Sequence, residues 1–130
     1  MIVRTCLLIS DDPDDHMELS EALNEISKDT VLVAVAHPEK ALAMLGLKRC
    51  IPDYIFLNLA VNGFSPDVFF ATLDADVELM NVRVIAYGEI PDFEKLNKHR
   101  VTGFINSDVS YTELRESLGK IMGREGWNAG

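Results

Sequence analysis

Short apolar runs alternate with segments of helical periodicity from one end of the chain to the other. Cys6-Leu7-Leu8-Ile9 is the kind of continuous apolar run expected of a strand covered on both faces. After it, Asp12 is a candidate N-cap and Pro13 takes the first helical position, with Asp14 and Asp15 in the first turn, where the helix dipole favours negative charge. Leu19, Ala22, Leu23 and Ile26 then recur at helical spacing. Val31 to Ala36 predicts a second strand, and Pro38 opens a helix with the stripe Ala41, Leu42 and Leu45. Tyr54 to Leu59 predicts the third strand. Ser65-Pro66-Asp67 repeats the cap, proline and acid signature, starting a helix that buries some of Val68, Phe69, Ala71, Thr72 and Leu73. Val82 to Tyr87 predicts the fourth strand, and between Pro91 and Arg100 there is room only for a short helix with Phe93 and Leu96 inward. Gly103-Phe104-Ile105 predicts the fifth strand. Ser110 and Glu113 make a capping box for a last helix with the stripe Leu114, Leu118 and Ile121.

Strict alternation of strand and helix predicts an α/β fold, a parallel sheet with helices on both faces, because parallel neighbours need crossovers. In such sheets the working residues lie at the carboxyl ends of the strands. Those positions are Ser10, Asp11 and Asp12 after the first strand, Asn58 after the third, Tyr87 and Gly88 after the fourth, and Ser107 after the fifth. Residues 1–122 read as one domain, and the glycine-rich stretch 123–130 with Trp127 as a flexible tail.

Composition narrows the partners. A chain of 130 residues that is 48% hydrophobic can build one core without staples. Its formal net charge of −9 disfavours nucleic acid and anionic membrane, which need a positive field. No apolar run approaches the roughly 20 residues of a spanning helix, and the start at Met1 has no signal-peptide pattern, so a cytoplasmic location is expected. Cys6 and Cys50 are far apart and form no C-x-x-C pair, which predicts two reduced thiols.

Four phrases together resemble the response-regulator receiver domain of two-component signalling, over roughly residues 3 to 122. Leu7 to Asp15 is similar to the acidic turn after the first strand. Pro52 to Gly63 is similar to the phosphoacceptor strand and its loop. Val84-Ile85-Ala86-Tyr87-Gly88 and Gly103 to Asp108 are similar to the fourth and fifth strands. The resemblance implies a flavodoxin-like (βα)5 three-layer sandwich with strand order 2-1-3-4-5. It also implies a site of two acids holding a divalent ion, an aspartate acceptor, a Ser/Thr hydroxyl and a lysine. Carried across, the acid pair falls on Ser10 and Asp11, the acceptor on Asn58, the hydroxyl on Gly88 (or, one register away, Tyr87), and the lysine on Ser107.

Only Asp11 keeps the residue type. An aspartate accepts phosphate through an ionised oxygen while a cation and a lysine spread the transition-state charge. A carboxamide has no such oxygen, so Asn58 is expected not to form an acyl phosphate. Asp11, Asp12, the amide oxygen of Asn58 and the backbone carbonyl of Ala60 are expected to make a weak Mg²⁺ site at most, and no cofactor is required. Asp14 and Asp15 are read as dipole-complementing surface acids, and His16, His37 and His99 as surface imidazoles.

The expectation is therefore a pseudo-receiver, not an enzyme, that acts by protein contact. No output domain follows residue 122, so the effect is expected in trans on a histidine kinase, phosphotransferase or effector, or through homodimerisation, with Phe104 and Tyr111 on the interaction surface. The alternatives are a regulator phosphorylated on Asp11 or Asp12, and a flavodoxin-like cofactor carrier or hydrolase. The acidic first turn repels phosphate, His16 breaks the Asp12-Pro13-Asp14 phosphatase spacing, and no G-x-S-x-G turn exposes a serine.

Overall fold

The computed structural model describes residues 4–26, 29–48, 51–61, 64–89, 94, 96, 101–106 and 109–124. Five strands appear in chain order: β1 (Arg4–Ile9), β2 (Thr30–Val35), β3 (Tyr54–Asn58), β4 (Arg83–Gly88) and β5 (Gly103–Asn106). The helices are α1 (Pro13–Ile26), α2 (Pro38–Leu47), α3 (Pro66–Asp74) and α4 (Tyr111–Arg124), with a 3₁₀ turn at Val77–Leu79. Every pairing is parallel, and the order is β2-β1-β3-β4-β5. This is the doubly wound order expected for the chain, with β2 and β5 as edges.

Side-chain alternation along the strands sorts the core into two layers. Leu7, Ile9, Ile55, Leu57, Val84 and Ala86 pack against Ala41 and Leu45 of α2 and Phe69, Phe70 and Leu73 of α3. Cys6, Leu8, Tyr54, Phe56, Ile85 and Ile105 face the other way, onto Leu19, Ala22 and Leu23 of α1 and Leu114, Leu118 and Met122 of α4. Central β3 is covered on both sides, which is why its sequence is an unbroken apolar run up to Asn58.

The helix starts follow their predicted chemistry. Asp12 Oδ1 accepts the Asp14 N–H at 2.9 Å, and Ser110 Oγ accepts the Glu113 N–H at 3.3 Å. Ser65 holds the N-cap position of α3 without a side-chain bond, so that start rests on Pro66. The buried stripe of α3 is Phe69, Phe70 and Leu73, while Val68, Ala71 and Thr72 face solvent. Phe70 joins the core by meeting Phe69 edge to face, with ring centroids 5.3 Å apart.

Other expectations shift at their margins. Helix α4 runs to Arg124, past the expected boundary at 122, and residues 125–130 with Trp127 lie outside the described residues. So does most of the short helix expected between Pro91 and Arg100, including Phe93, although Leu96 is buried. Cys50 is likewise outside. Cys6 is a free thiol, fully buried and pushed up to about 12 by burial and then by the charge of Asp53. Among the described residues no helix is long and apolar enough to cross a membrane.

Candidate functional site

The carboxyl ends of β1 and β3 lie side by side, because Ile9 is in register with Leu57. That brings Ser10, the next residue of one chain segment, beside Asn58, the last residue of β3. Ser10 is buried and Asn58 half-buried. The start of α1 sits over this pair, since only Asp11 and the Asp12 cap separate Ser10 from Pro13.

The pocket is closed by a residue assigned from sequence to the surface. Asp15 Oδ2 accepts a hydrogen bond from Asn58 Nδ2 at 2.6 Å and another from Ser10 Oγ at 2.7 Å. Ser10 Oγ in turn accepts the Asp12 N–H at 3.1 Å and lies 3.3 Å from Asn58 Nδ2. Asp14 remains exposed, as expected, but Asp15 turns inward. The reason is helical geometry. Asp15 is the third residue after the cap, in the first turn over the strand ends, where Ser10 and Asn58 supply its donors, and no local signal in the sequence marks it.

The Asn58 amide is oriented by both ends. Its Oδ1 accepts the Ala60 N–H at 2.8 Å, and Nδ2 points into the pocket. The assignment follows from the network, because Asp15 and Ala60 demand a donor on one side and an acceptor on the other. This corrects the expected ligand set for Mg²⁺. The amide presents its donor, not its oxygen, toward Asp15, while Asp12 is spent on the helix cap and Asp11 is exposed. Among the described residues no three His, Cys, Asp or Glu side chains gather as a metal group. A hard divalent cation wants about six oxygens, and the residues present do not fit one.

The fourth-strand position is also corrected. Asn58 is in register with Tyr87, not Gly88. Alternation puts the Tyr87 side chain on the same face as Ile85, packed with the α1 and α4 layer, whereas Gly88 points to the opposite face. A Cβ on Gly88 would meet Leu59 Cβ and Cδ1 at 3.3 Å, which explains a glycine there without any role in the pocket. The Tyr87 ring fills the gap among Leu8, Asp15, Leu19, Phe56 and Leu114, leaving about 10 Å³. Its hydroxyl is pushed up to about 12, first by burial and then by the charges of Asp15, Glu18 and Asp12.

Ser107 lies outside the described residues. Phe104 is 45% exposed on β5, and Tyr111 is half-buried at the start of α4. Ile105 and Tyr111 share one face, so Phe104 points to the other. The two expected surface residues thus belong to opposite faces of the sheet. Tyr111 belongs to the seam between α1 and α4, where burial and then Glu25 and Glu21 raise its hydroxyl above the usual range, and where Arg115 pairs with Glu25 at 2.7 Å.

Comparison with protein-family models finds no match, and comparison with curated proteins finds none either. Solved structures do match. The phosphorylated cyanobacterial phytochrome response regulator RcpA superposes with a TM-score of 0.79 at 20% identity, covering 93% of this chain and 92% of that one. A two-component response regulator from Legionella pneumophila gives 0.75 at 17%, covering 94% and 99%. The chemotaxis response regulator CheY4 of Vibrio cholerae gives 0.72 at 13%, covering 92% and 99%. The chain has the fold of response-regulator receivers.

Proposed function

We propose that this protein is a pseudo-receiver of two-component signalling, a domain with the receiver fold that carries out no phosphoryl transfer and passes its message by binding another protein. One observation carries the reading: the amide of Asn58 stands at the end of β3 and donates to Asp15 at 2.6 Å. A receiver needs an anionic oxygen aimed outward at that point, with cations around it. Here the group is a neutral donor, turned toward a carboxylate that already accepts from Ser10. A phosphoryl group entering the pocket would meet Asp15, Asp12 and Asp11 and be repelled.

The second support is Tyr87. Receivers switch when a small hydroxyl moves toward the phosphoryl group and repacks the surface behind it, a bias on a bistable element. A packed tyrosine in register with Asn58 holds that region in one arrangement. The partner is a kinase, phosphotransferase or effector of the same signalling class, met in the cytoplasm, a setting in accord with the free thiol of Cys6.

The test is labelling with acetyl phosphate and Mg²⁺, read by intact mass, alongside beryllofluoride binding read by NMR. The wild type and Asn58→Asp are expected to give neither signal. Stoichiometric labelling of the wild type, on Asp11, Asp12 or any other carboxylate of the cleft, would overturn the reading. Restoring the chemistry requires Asn58→Asp together with Ser10→Asp, Tyr87→Thr and Ser107→Lys. Substituting Gly88 in place of Tyr87 is expected not to help, because that side chain would point away from the cleft.

A further inference from the structure

The geometry points to a second interaction surface, unrelated to the cleft: the free edge of β2, through which we infer that two copies of this chain pair antiparallel about a two-fold axis. The backbone supplies the first ground. Ser10 N–H donates to Val35 O at 3.0 Å and Arg4 N–H to Asp29 O at 2.9 Å, so the odd residues of this segment face β1. By alternation Leu32 and Ala34 direct their N–H and C=O groups outward, and among the described residues no strand lies beyond β2 in the sheet. An exposed edge of this kind is a template for pairing unless it is blunted by charge, proline or a bulge. Thr30–Val35 reads TVLVAV and contains none of these devices.

The side chains supply the second ground. Val31 is 50% exposed and Val33 37%, and Val33 continues into an apolar groove of about 170 Å³ with Met44 and Leu47 of α2. Centring the two-fold axis on Val33 sets Val33 against its own copy and Val31 against Val35, while Leu32 and Ala34 exchange hydrogen bonds. The two sheets would then join as one.

Charge selects the occupant. Residues 11–29 hold eight acids and one base, so two copies repel wherever that region meets itself. Residues 30–47 hold one acid, Glu39, and one base, Lys40, and are neutral in a chain of net charge −9. At β2 a second copy meets no local excess of like charge, because residues 30–47 are neutral. The interface is isologous, as closed dimers require.

Sedimentation velocity across micromolar concentrations tests this on the full chain. The wild type is expected to show a monomer–dimer equilibrium. Val33→Lys, which puts like charges opposite each other, is expected to weaken it at least about tenfold. Ala34→Pro removes an outward N–H without touching the bonds to β1 and is expected to do the same. Circular dichroism checks that both variants fold, and Phe104→Glu, at the opposite edge, should leave the dimer intact. A wild type that stays monomeric, or a dimer that survives both β2 variants, or one that only Phe104→Glu dissolves, would overturn the inference.

Discussion

Asn58 and Asp15, 43 residues apart in sequence, are joined by a 2.6 Å hydrogen bond that turns the mouth of the sheet into a closed network. The carboxylate sits in the first turn of α1, where the helix dipole supports its charge, and takes two donors on one oxygen. The pocket is satisfied internally, and its stability becomes measurable through Asp15.

Replacing Asp15 by Ala leaves the amide of Asn58 and the hydroxyl of Ser10 without their shared acceptor. Stranding partly buried donors costs about 2 kcal/mol, and urea denaturation should show a loss of that size. Asp14→Ala, at an exposed neighbour that uses only its backbone here, is the control and should change stability by less than about 0.5 kcal/mol.

Asn58→Asp places a second carboxylate against the first. The variant should be less stable than wild type at neutral pH by about 2 kcal/mol, because two like charges at that distance repel. Asn58→Asp combined with Asp15→Asn exchanges donor and acceptor and should recover much of the loss. A double-mutant cycle in thermal melts would reveal the coupling.

Cys6 gives a pH signature of its own. Its thiol is pushed from 9.0 up to about 12 in the folded chain, so the unfolded state loses its proton first as pH rises. The contribution is fully present below pH 9 and disappears between 9 and 12, a loss of about 4 kcal/mol across that window. A Cys6→Val variant should show a shallower decline in alkaline stability. At pH 8, with Cys50 replaced by Ser, the native protein should leave Cys6 unreactive toward a thiol reagent until it unfolds.

Lys48 ends α2 in the left-handed region, at φ 56°, and its ammonium lies 3.0 Å from Asp76 and 3.6 Å from Glu78. A non-glycine residue there carries a steric cost, which the exposed ion pairs offset. Lys48→Met keeps the backbone cost and loses the pairs, so it should lower stability slightly, read as a small drop in Tm. Lys48→Gly loses both and should come out near neutral. Raising the salt concentration should narrow the gap between wild type and Lys48→Met.

The alternation of apolar runs with capped helical stripes was enough to read the architecture, since burying β3 on two faces demands a continuous run such as Tyr54 to Leu57 and each helix start carries its own local chemistry. The uncharged residue at the end of β3 was equally legible, because it is one letter at one position. What remained hidden depended on register and on contacts between distant segments. A shift of a single residue in β4 decides whether Tyr87 or Gly88 stands beside Asn58, and that is fixed by packing the whole strand, with Ile85 toward α1 and Ala86 toward α3. Asp15 looked like any acid in a first helical turn, for dipole and solvent favour it there in isolation. Its inward turn required Ser10 and Asn58 to be brought to it by the pairing of β1 with β3, a long-range arrangement that no local pattern records.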